Sequence, residues 1–335
     1  MRNAEIIARL LVILMCVAVV AIPLAVRFGA GDGVEIHARI AEAGGWMPDV
    51  IKVKAGEKLN LRLISDDVVH GFAVGQMPGS EVDVMPGKVS ELSLEFDQPG
   101  VYTFYCTRWC GLNHWRMRGT IEVSGDEVSM DQQASEPYYA SLNIDLDAPH
   151  PAAVTPSQTP SASRGAELAG GIPDPYLAID YYRSHSPADA FSQLRLDPST
   201  SDLNDAQVWD MVAYIWRTQT TPDEFLAGRT LYQVNCAACH GEDGGGDGIF
   251  ADELETAGNA SMQSMQGSHD MVMKRPADFT DPQQMLGASP ALLHGKTTRG
   301  GMGTGMPMWG AIFSDEQIWN MVAYLFTFQF AGMIP

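Results

Sequence analysis

The chain has 335 residues, a formal net charge of −20 at pH 7 and 45% hydrophobic residues. A chain of this length exceeds one small domain and predicts two or three. The excess of acidic residues argues against nucleic acid as a partner, because a phosphate backbone attracts basic surfaces. An acidic exterior fits plain solubility or the steering of a basic soluble partner, an effect screened within about 10 Å at ordinary salt.

The first element is an apolar run, residues 10–26, which Arg9 precedes and Arg27 follows. With the apolar residues just before it, the stretch has about 21 residues, enough for one helical crossing of a bilayer core. We therefore predict a transmembrane anchor over residues 1–30, with the rest of the chain on the outer side of the cytoplasmic membrane. A cleaved signal peptide is the alternative, although no clear A-x-A cleavage site is present. Cys16 lies inside the run and is interpreted as an apolar membrane residue.

Residues 31–125 are predicted to form an all-β sandwich. Segments such as VIKVKAGEKLNLRLIS, GKVSELSLEF, GVYTFYC and GTIEVSG alternate apolar and polar residues between glycine or proline turns. Alternation of this kind places one face of a strand in a core and the other in water. His70 follows one of these runs, and two others bracket a loop with two cysteines. Potential ligands that are distant in the sequence can therefore meet at one end of the sandwich.

This loop, CTRWCGLNHWRM, spells C-x-x-x-C-x-x-x-H-x-x-M from Cys106 to Met117. Thiolates, imidazoles and a thioether are the ligands that soft copper prefers. A mononuclear electron-transfer site needs only one cysteine, whereas two thiolates can bridge two coppers. A disulfide would explain neither the histidines nor the methionine. The spacing alone leaves the disulfide and the mononuclear site open as alternatives.

The loop resembles the binuclear CuA loop of cytochrome c oxidase subunit II, and residues 34–125 resemble the cupredoxin domain of that family. The short form, with one preceding helix, looks most like the B-type haem-copper oxidases. The resemblance implies two bridging thiolates, two imidazoles that each bind one copper, and a thioether and a backbone carbonyl as weak axial ligands. By this resemblance, the thiolates belong to Cys106 and Cys110, and the imidazoles belong to His70 and His114. The thioether belongs to Met117, and the backbone carbonyl belongs to Arg108. The family usually carries glutamate in place of Arg108, but a carbonyl ligand does not depend on the side chain.

After the sandwich, residues 126–164 are predicted to be a linker. The stretch 150–171 is rich in proline, serine, threonine and alanine. Such a segment buries little apolar surface and is typical of a tether between domains. A rigid, packed linker remains the alternative.

A second cofactor site lies at Cys236-Ala-Ala-Cys239-His240, which has the C-x-x-C-H signature of c-type haem attachment. The two thiols would add to the haem vinyl groups, and His240 would be the proximal iron ligand. Zinc or thioredoxin-like chemistry is the usual competitor, but the chain has no second cysteine pair to complete a zinc site. The surrounding residues resemble class I cytochromes c. The resemblance implies a cytochrome c domain with one covalently bound haem over residues 222–335.

Such a haem needs a sixth ligand from the C-terminal side, and methionine is typical of electron carriers. Three methionines lie in RGGMGTGMPMWG. We select Met306, because proline follows it directly and GMPMW resembles the methionine-proline loop of cytochromes c. Met302 and Met308 remain alternatives.

The chain also contains an internal repeat: residues 204–215, NDAQVWDMVAYI, match residues 314–325, SDEQIWNMVAYL. Each copy starts with a helix-capping residue, Asn204 or Ser314, and carries glutamine three positions later, as in a capping box. Apolar residues at three- and four-residue steps predict amphipathic helices. The second copy resembles the C-terminal helix of cytochromes c. The first copy therefore predicts a cytochrome-like but haem-free lobe over residues 165–221, which lacks C-x-x-C-H.

Two one-electron centres on one membrane-tethered chain predict an electron-entry subunit of a haem-copper terminal oxidase. By resemblance to caa-type oxidases, electrons would pass from a donor, such as a soluble cytochrome c or copper protein, through haem c and CuA to the oxygen-reducing subunit I in the membrane. A haem-copper nitric oxide reductase and a free-standing tethered carrier remain alternatives. Nitrous oxide reductase is disfavoured, because eight histidines do not provide its histidine-rich catalytic copper domain.

Overall fold

The computed structural model describes residues 33–111, 114–125, 137–252, 275–301 and 306–334. The chain divides into two compact units, one formed by residues up to 128 and the other by residues from 129. The predicted anchor over residues 1–30 lies outside the described residues. Within the described ranges, no helix combines the length and apolar character needed to cross a membrane.

The first unit is a β-sandwich of two mixed sheets. Its strands are β1 (Val34–Ala38), β2 (Trp46–Met47), β3 (Val50–Lys54), β4 (Lys58–Ser65), β5 (His70–Val74), β6 (Val82–Val84), β7 (Val89–Glu95), β8 (Gly100–Tyr105) and β9 (Arg118–Ser124). One sheet has the order β2-β1-β4-β7, and the other has the order β3-β9-β8-β5-β6. The pairs β1–β4 and β3–β9 are parallel. Short 3-10 helices occupy Ala41–Ala43 and His114–Arg116. The predicted sandwich is confirmed.

The alternation in the sequence places apolar side chains between the sheets. In β4, Leu61 and Leu63 are buried, whereas the polar residues between them face outward. Phe72 of β5 stacks on Phe104 of β8 with 5.3 Å between ring centroids, and Trp46 packs edge-on against both rings. Burial of this aromatic surface, at about 25 cal/mol per Å², stabilises the strands that lead to the cysteine loop.

Strand ends bring His70 and the cysteine loop together. β5 begins at His70 and pairs antiparallel with β8, which ends one residue before Cys106. The Thr107 amide donates to the Gly71 carbonyl over 3.2 Å. A Cβ atom on Gly71 would lie 2.0 Å from the Thr107 hydroxyl oxygen, so glycine is needed for this close approach.

The second unit is helical. Its α-helices are α1 (Tyr138–Ser141), α2 (Ala162–Ala166), α3 (Ile179–Ser184), α4 (Pro187–Leu196), α5 (Asp205–Thr218), α6 (Pro222–Asn235), α7 (Ala237–His240), α8 (Pro282–Met285), α9 (Pro290–Arg299) and α10 (Asp315–Leu325). Short 3-10 helices occupy Ala169–Gly171, Asp174–Leu177, Pro198–Thr200, Trp309–Ala311 and Phe326–Phe328. An all-α region after the sandwich is therefore confirmed.

The stretch 150–171 is packed against the helical unit. Ala152 and Ala162 are buried, and Ala152 exchanges two hydrogen bonds with Gln283. A Cβ atom on Gly287 would lie 2.1 Å from the His150 carbonyl, so the two backbones touch. These contacts favour the packed alternative for this stretch, because buried small residues and hydrogen bonds to backbone atoms hold it against the helices.

The repeat extends from sequence to tertiary structure. Both predicted capping boxes form, at the starts of α5 and α10. A Cβ atom on Gly165 of α2 would lie 2.0 Å from the carbonyl oxygen of Asp210 in α5. A Cβ atom on Gly228 of α6 would lie 2.1 Å from the carbonyl oxygen of Asn320 in α10. Asp210 and Asn320 occupy equivalent positions of the repeat. In both copies, therefore, a neighbouring helix packs against the same position through a glycine.

Aromatic side chains fill the interior of the predicted haem-free lobe. Trp209 stacks on Phe191 with 4.5 Å between centroids, and Trp216 packs edge-on against Tyr182 at 5.6 Å. All four rings are buried. Stacked and edge-on aromatic pairs are favourable beyond the area that they bury. The lobe thus has a core of its own side chains.

An ion pair joins two parts of the helical unit that are 23 positions apart in the sequence. Asp252 and Arg275 contact each other through their charged groups. A few residues further on, the Phe279 amide donates to the Gly244 carbonyl over 2.7 Å. The described segments that contain these residues therefore lie side by side.

Candidate metal centre and haem-attachment site

Two cysteines and two histidines form the centre of the first site. The Sγ atoms of Cys106 and Cys110 are 3.8 Å apart and form no disulfide. His70 Nδ1 lies 3.9 Å from the Cys106 sulfur, and His114 Nδ1 lies 3.6 Å from the Cys110 sulfur. Each imidazole therefore lies beside a different sulfur, and each presents its Nδ1 atom.

The Met117 thioether and the Arg108 carbonyl, which are predicted to be weak ligands, lie beside the same two sulfurs. Met117 Sδ is 3.2 Å from the Cys110 sulfur, and the Arg108 carbonyl oxygen is 3.3 Å from the Cys106 sulfur. Donors that share a metal through bonds of about 2.0 to 2.3 Å, the lengths found at zinc, have separations of this kind. His70, Cys106 and Cys110 offer donor atoms that all lie within 4.8 Å of one another. The soft donor set fits copper.

The protonation of each cysteine thiol affects that of the other. A hydrogen bond between the sulfurs holds the pKa of Cys106 far below its ordinary value. The same hydrogen bond and the charge of the Cys106 thiolate raise the pKa of Cys110. Because the thiolate is the form that binds metal, Cys106 is ready to ligate and Cys110 must lose a proton.

Asp67 orients His70, and sequence reasoning missed it. His70 is fully buried, and its Nε2 atom lies 2.7 Å from Asp67 Oδ1. Backbone amides of Ile40 and Val68 also donate to this carboxylate, each over 2.7 Å. Burial lowers the pKa of His70, but hydrogen bonds to Cys106 and Asp67 bring the net shift upward. A carboxylate on the far nitrogen fixes the tautomer that leaves Nδ1 for a metal. The D-x-x-H spacing was the available signal.

The Met117 carbonyl fixes the end of the loop. Its oxygen accepts one hydrogen bond from the Cys106 amide, over 3.0 Å, and another from the Trp46 indole N–H, over 3.1 Å. Met117 itself is only 1% exposed. These two hydrogen bonds tie the methionine to the buried aromatic core, so its sulfur has little freedom to move.

Arg108 anchors the outer part of the loop. Its Nε and Nη2 atoms donate to the two carboxylate oxygens of Asp83, over 2.9 and 3.0 Å. The guanidinium lowers the pKa of Asp83. Both side chains are more than half exposed, so the pair contributes modestly to stability. Its effect is to hold the backbone whose carbonyl faces Cys106.

Trp109 covers His114 from the outside. The ring centroids are 4.6 Å apart, with 46° between the planes. Trp109 is 37% exposed, and His114 is partly exposed. His70 and His114 therefore differ in their surroundings.

The C-x-x-C-H segment forms one helical turn directly after α6. The amides of Cys239 and His240 both donate to the Cys236 carbonyl, over 3.1 and 2.9 Å. His240 Nδ1 lies 3.0 Å from the Ala277 carbonyl, and its ring stacks on Phe279 at 4.5 Å. With Nδ1–H donated to a carbonyl, Nε2 is the nitrogen available to iron.

Burial raises the pKa of Cys236 to about 12 and that of Cys239 to about 11. The two are thus neutral thiols at pH 7. No cluster of three or more metal-ligating side chains includes them in the part of the chain that the structure describes, which argues against zinc. Cys236 also lies 3.4 Å from the sulfur of Met321 in α10, a neighbour that sequence reasoning did not single out.

The candidate sixth ligands differ in exposure. The Met306 carbonyl accepts the Gly301 amide over 3.2 Å, and the residue is partly buried. Met308 is 56% exposed. Met302 lies outside the described residues. Of the two described methionines, Met306 is the better placed to remain in a protein interior.

A β-sandwich with a thiolate–imidazole loop at one end, followed by a helical unit with C-x-x-C-H, defines a cupredoxin-type domain joined to a cytochrome. Two family models agree with this description. Cytochrome c oxidase subunit II, periplasmic domain, matches residues 47–124, and cytochrome c matches residues 225–329. The chain therefore resembles a subunit II periplasmic domain over residues 47–124 and a cytochrome c domain over residues 225–329. The predicted resemblance to a subunit II fused to a cytochrome c domain, as in caa-type oxidases, is confirmed.

Individual relatives resemble a part of the chain. Two cytochrome c oxidase subunit 2 proteins from Thermus thermophilus are each 40% identical over 84 residues, which is 25% of this chain. These matches span 62% and 49% of the two relatives. A solved heme-copper terminal oxidase dimer shows 24% identity, with a TM-score of 0.25, over 36% of this chain and 99% of the solved chain. With so low a TM-score, that likeness carries no weight for function.

Proposed function

We propose that the chain is the electron-entry subunit of a haem-copper terminal oxidase, a form of cytochrome-c oxidase. Electrons would pass from a donor, such as a soluble cytochrome c or copper protein, through haem c and binuclear CuA to subunit I, where oxygen is reduced. The observation that carries the proposal is the gathering of four donor atoms around two cysteine sulfurs, in a chain that also matches a cytochrome c domain.

In this proposal the thiolates of Cys106 and Cys110 and the imidazoles of His70 and His114 would hold the copper pair. Met117 Sδ and the Arg108 carbonyl would be its weak ligands. When bound, the copper pair supplies a one-electron acceptor and donor. The chain contributes a rigid frame, since a buried aromatic core, the Asp67 carboxylate and the Met117 carbonyl hold the ligands in place. A frame that changes little between oxidation states favours rapid electron exchange.

The cytochrome domain would hold one haem c. Cys236 and Cys239 form its two thioether links, His240 is the proximal ligand through Nε2, and Met306 is the distal ligand. A histidine–methionine pair favours a reduction potential suited to electron carriers. Met302 and Met308 remain the alternatives for the distal position.

The proposed arrangement places residues 1–30 in the cytoplasmic membrane as a single anchor. The copper domain, residues 31–125, and the cytochrome domain, residues 222–335, would then lie on its outer side. Residues 165–221 form the haem-free lobe, for which we propose a structural role. Residues 126–164 connect the domains, although much of this stretch packs against the helical unit.

Substitution of Cys106 by serine tests the copper assignment in the full chain. The variant should lose the binuclear copper spectrum and keep the haem spectrum, because only one thiolate remains between the metals. Cys16→Ser is the matched control, since that cysteine lies outside both sites. An unchanged copper spectrum in Cys106→Ser would contradict the CuA assignment.

Gas consumption by the complex that copurifies with the chain tests the wider role. Cyanide-sensitive oxygen uptake driven by a reduced cytochrome, with slow nitric oxide turnover, is the expected result. Nitric oxide turnover without oxygen uptake would move the chain to a nitric oxide reductase. No copurifying partner and no gas consumption would leave a tethered electron carrier.

A further inference from the structure

The two imidazoles of the proposed copper centre are held in different ways. His70 is fully buried, and the Asp67 carboxylate accepts a hydrogen bond from its Nε2 atom. His114 is partly exposed, and the indole of Trp109 lies against its ring at 4.6 Å. One ligand therefore has a charged partner, and the other has an aromatic one.

Trp109 is well placed to restrain its neighbour. It lies between Arg108, which is paired with Asp83, and Cys110, which contacts the sulfurs of the site. Both sides of Trp109 are thus anchored along the backbone. Roughly two thirds of the residue is covered, because only 37% is exposed. An indole held in this way limits rotation of the His114 ring and keeps water from its outer side.

The two kinds of partner act in different ways. A carboxylate that accepts the far N–H of an imidazole fixes the tautomer and the orientation of the ring. An aromatic ring adds no net charge, but it restricts the motion of the imidazole and lowers solvent access to it. Trp109 can therefore support the partly exposed His114 as Asp67 supports the buried His70.

We propose that Trp109 is a positioning residue for His114. The inference rests on the proposed CuA function. Trp109 keeps the His114 ring ordered, with its Nδ1 atom beside the Cys110 sulfur, even though the histidine lies near the surface.

Trp109→Leu and Trp109→Phe in the full chain test this role. In the metal-free protein, nuclear magnetic resonance should show a ring-current shift on the His114 ring protons that the leucine variant loses and the phenylalanine variant keeps in part. In the copper-loaded protein, the leucine variant should release copper to a chelator about 10 to 100 times faster, as for other residues that support metal ligands.

Val101→Leu is the control, because Val101 is 70% exposed and lies at the other end of β8 from the cysteine loop. It should leave every reading unchanged. The phenylalanine variant should stay within about threefold of the parent chain in copper release, because it restores an aromatic cover.

The outcomes separate the two proposals. A leucine variant that matches the parent chain in ring-proton shifts and copper release overturns the role of Trp109 and leaves the CuA function standing. Equal losses in the leucine and phenylalanine variants also overturn it, since an aromatic ring would not be what matters. A parent chain that binds no copper pair overturns the proposed function, and the inference fails with it.

Discussion

Replacing Gly228 with alanine is expected to weaken the cytochrome domain by forcing α6 away from α10. The added methyl carbon would lie 2.1 Å from the Asn320 carbonyl oxygen and 3.2 Å from the Met321 amide nitrogen. Both atoms belong to backbone, so no side chain can turn away to make room. The helices must separate, and this also moves Cys236 relative to Met321, whose sulfurs are now 3.4 Å apart.

The size of the effect follows from two opposing contributions. Overpacking costs about 1 to 3 kcal/mol, and a backbone contact of 2.1 Å belongs in the upper part of that range, about 2 to 3 kcal/mol. Alanine recovers about 1 kcal/mol, because it is the better helix former. The net loss in free energy of unfolding is therefore about 1 to 2 kcal/mol. For a unit of about 200 residues, this corresponds to a fall in melting temperature of about 2 to 8 °C.

Circular dichroism at a helix wavelength measures the melting temperature of the full chain. Gly165→Ala should show a similar fall, because its methyl carbon would lie 2.0 Å from the Asp210 carbonyl oxygen. Gly170→Ala is the matched control, since nothing lies within 4 Å of its added carbon. If Gly228→Ala melts with the control, the close crossing does not constrain the domain and the reasoning is wrong.

Three further substitutions test the two sites. Asp67→Asn should weaken copper binding about 10- to 100-fold in a chelator competition, because the amide carries no charge to support His70. Unchanged copper affinity would show that His70 needs no charged partner. Met306→Leu should abolish the methionine-to-iron charge-transfer absorption band of the oxidised haem, whereas Met308→Leu should keep it; the opposite result would exchange the two assignments. Asp83→Ala removes an exposed ion pair and should lower the free energy of unfolding by less than about 1 kcal/mol in urea titration. A loss of several kcal/mol would mean that the ion pair stabilises more of the domain than the outer part of the loop.

The structure brings together the residues that the sequence predicts for the candidate copper site, and most of them lie in one loop. Cys106, Cys110 and Met117 have fixed spacing, and His70 follows a strong strand pattern. Asp67 was missed, because an acidic residue three positions before a histidine is common in surface turns. Only the folded chain shows that its carboxylate faces the buried imidazole.

Composition misled the interpretation of residues 150–171. Proline, serine and alanine bury little apolar surface, so the stretch was predicted to be a tether. Its order instead comes from hydrogen bonds such as those that join the Ala152 backbone to the carbonyl and the side chain of Gln283. The two residues are 131 positions apart, so no local pattern encodes these bonds. The close contacts between helices at Gly165 and Gly228 were missed for a related reason. The repeat was visible in the sequence, but Gly165 and Gly228 lie outside the repeated segment and show their equivalence only in three dimensions.

The ion pair between Asp252 and Arg275 also bears on the haem-attachment turn. Asp252 follows Phe250, whose amide donates to the Ala238 carbonyl within that turn. Arg275 precedes Ala277, whose carbonyl faces His240 Nδ1. The pair therefore joins two backbone segments that both contact the turn. Because salt screens exposed charges, this junction should weaken as the ionic strength rises, whereas the hydrogen bonds beside it should persist.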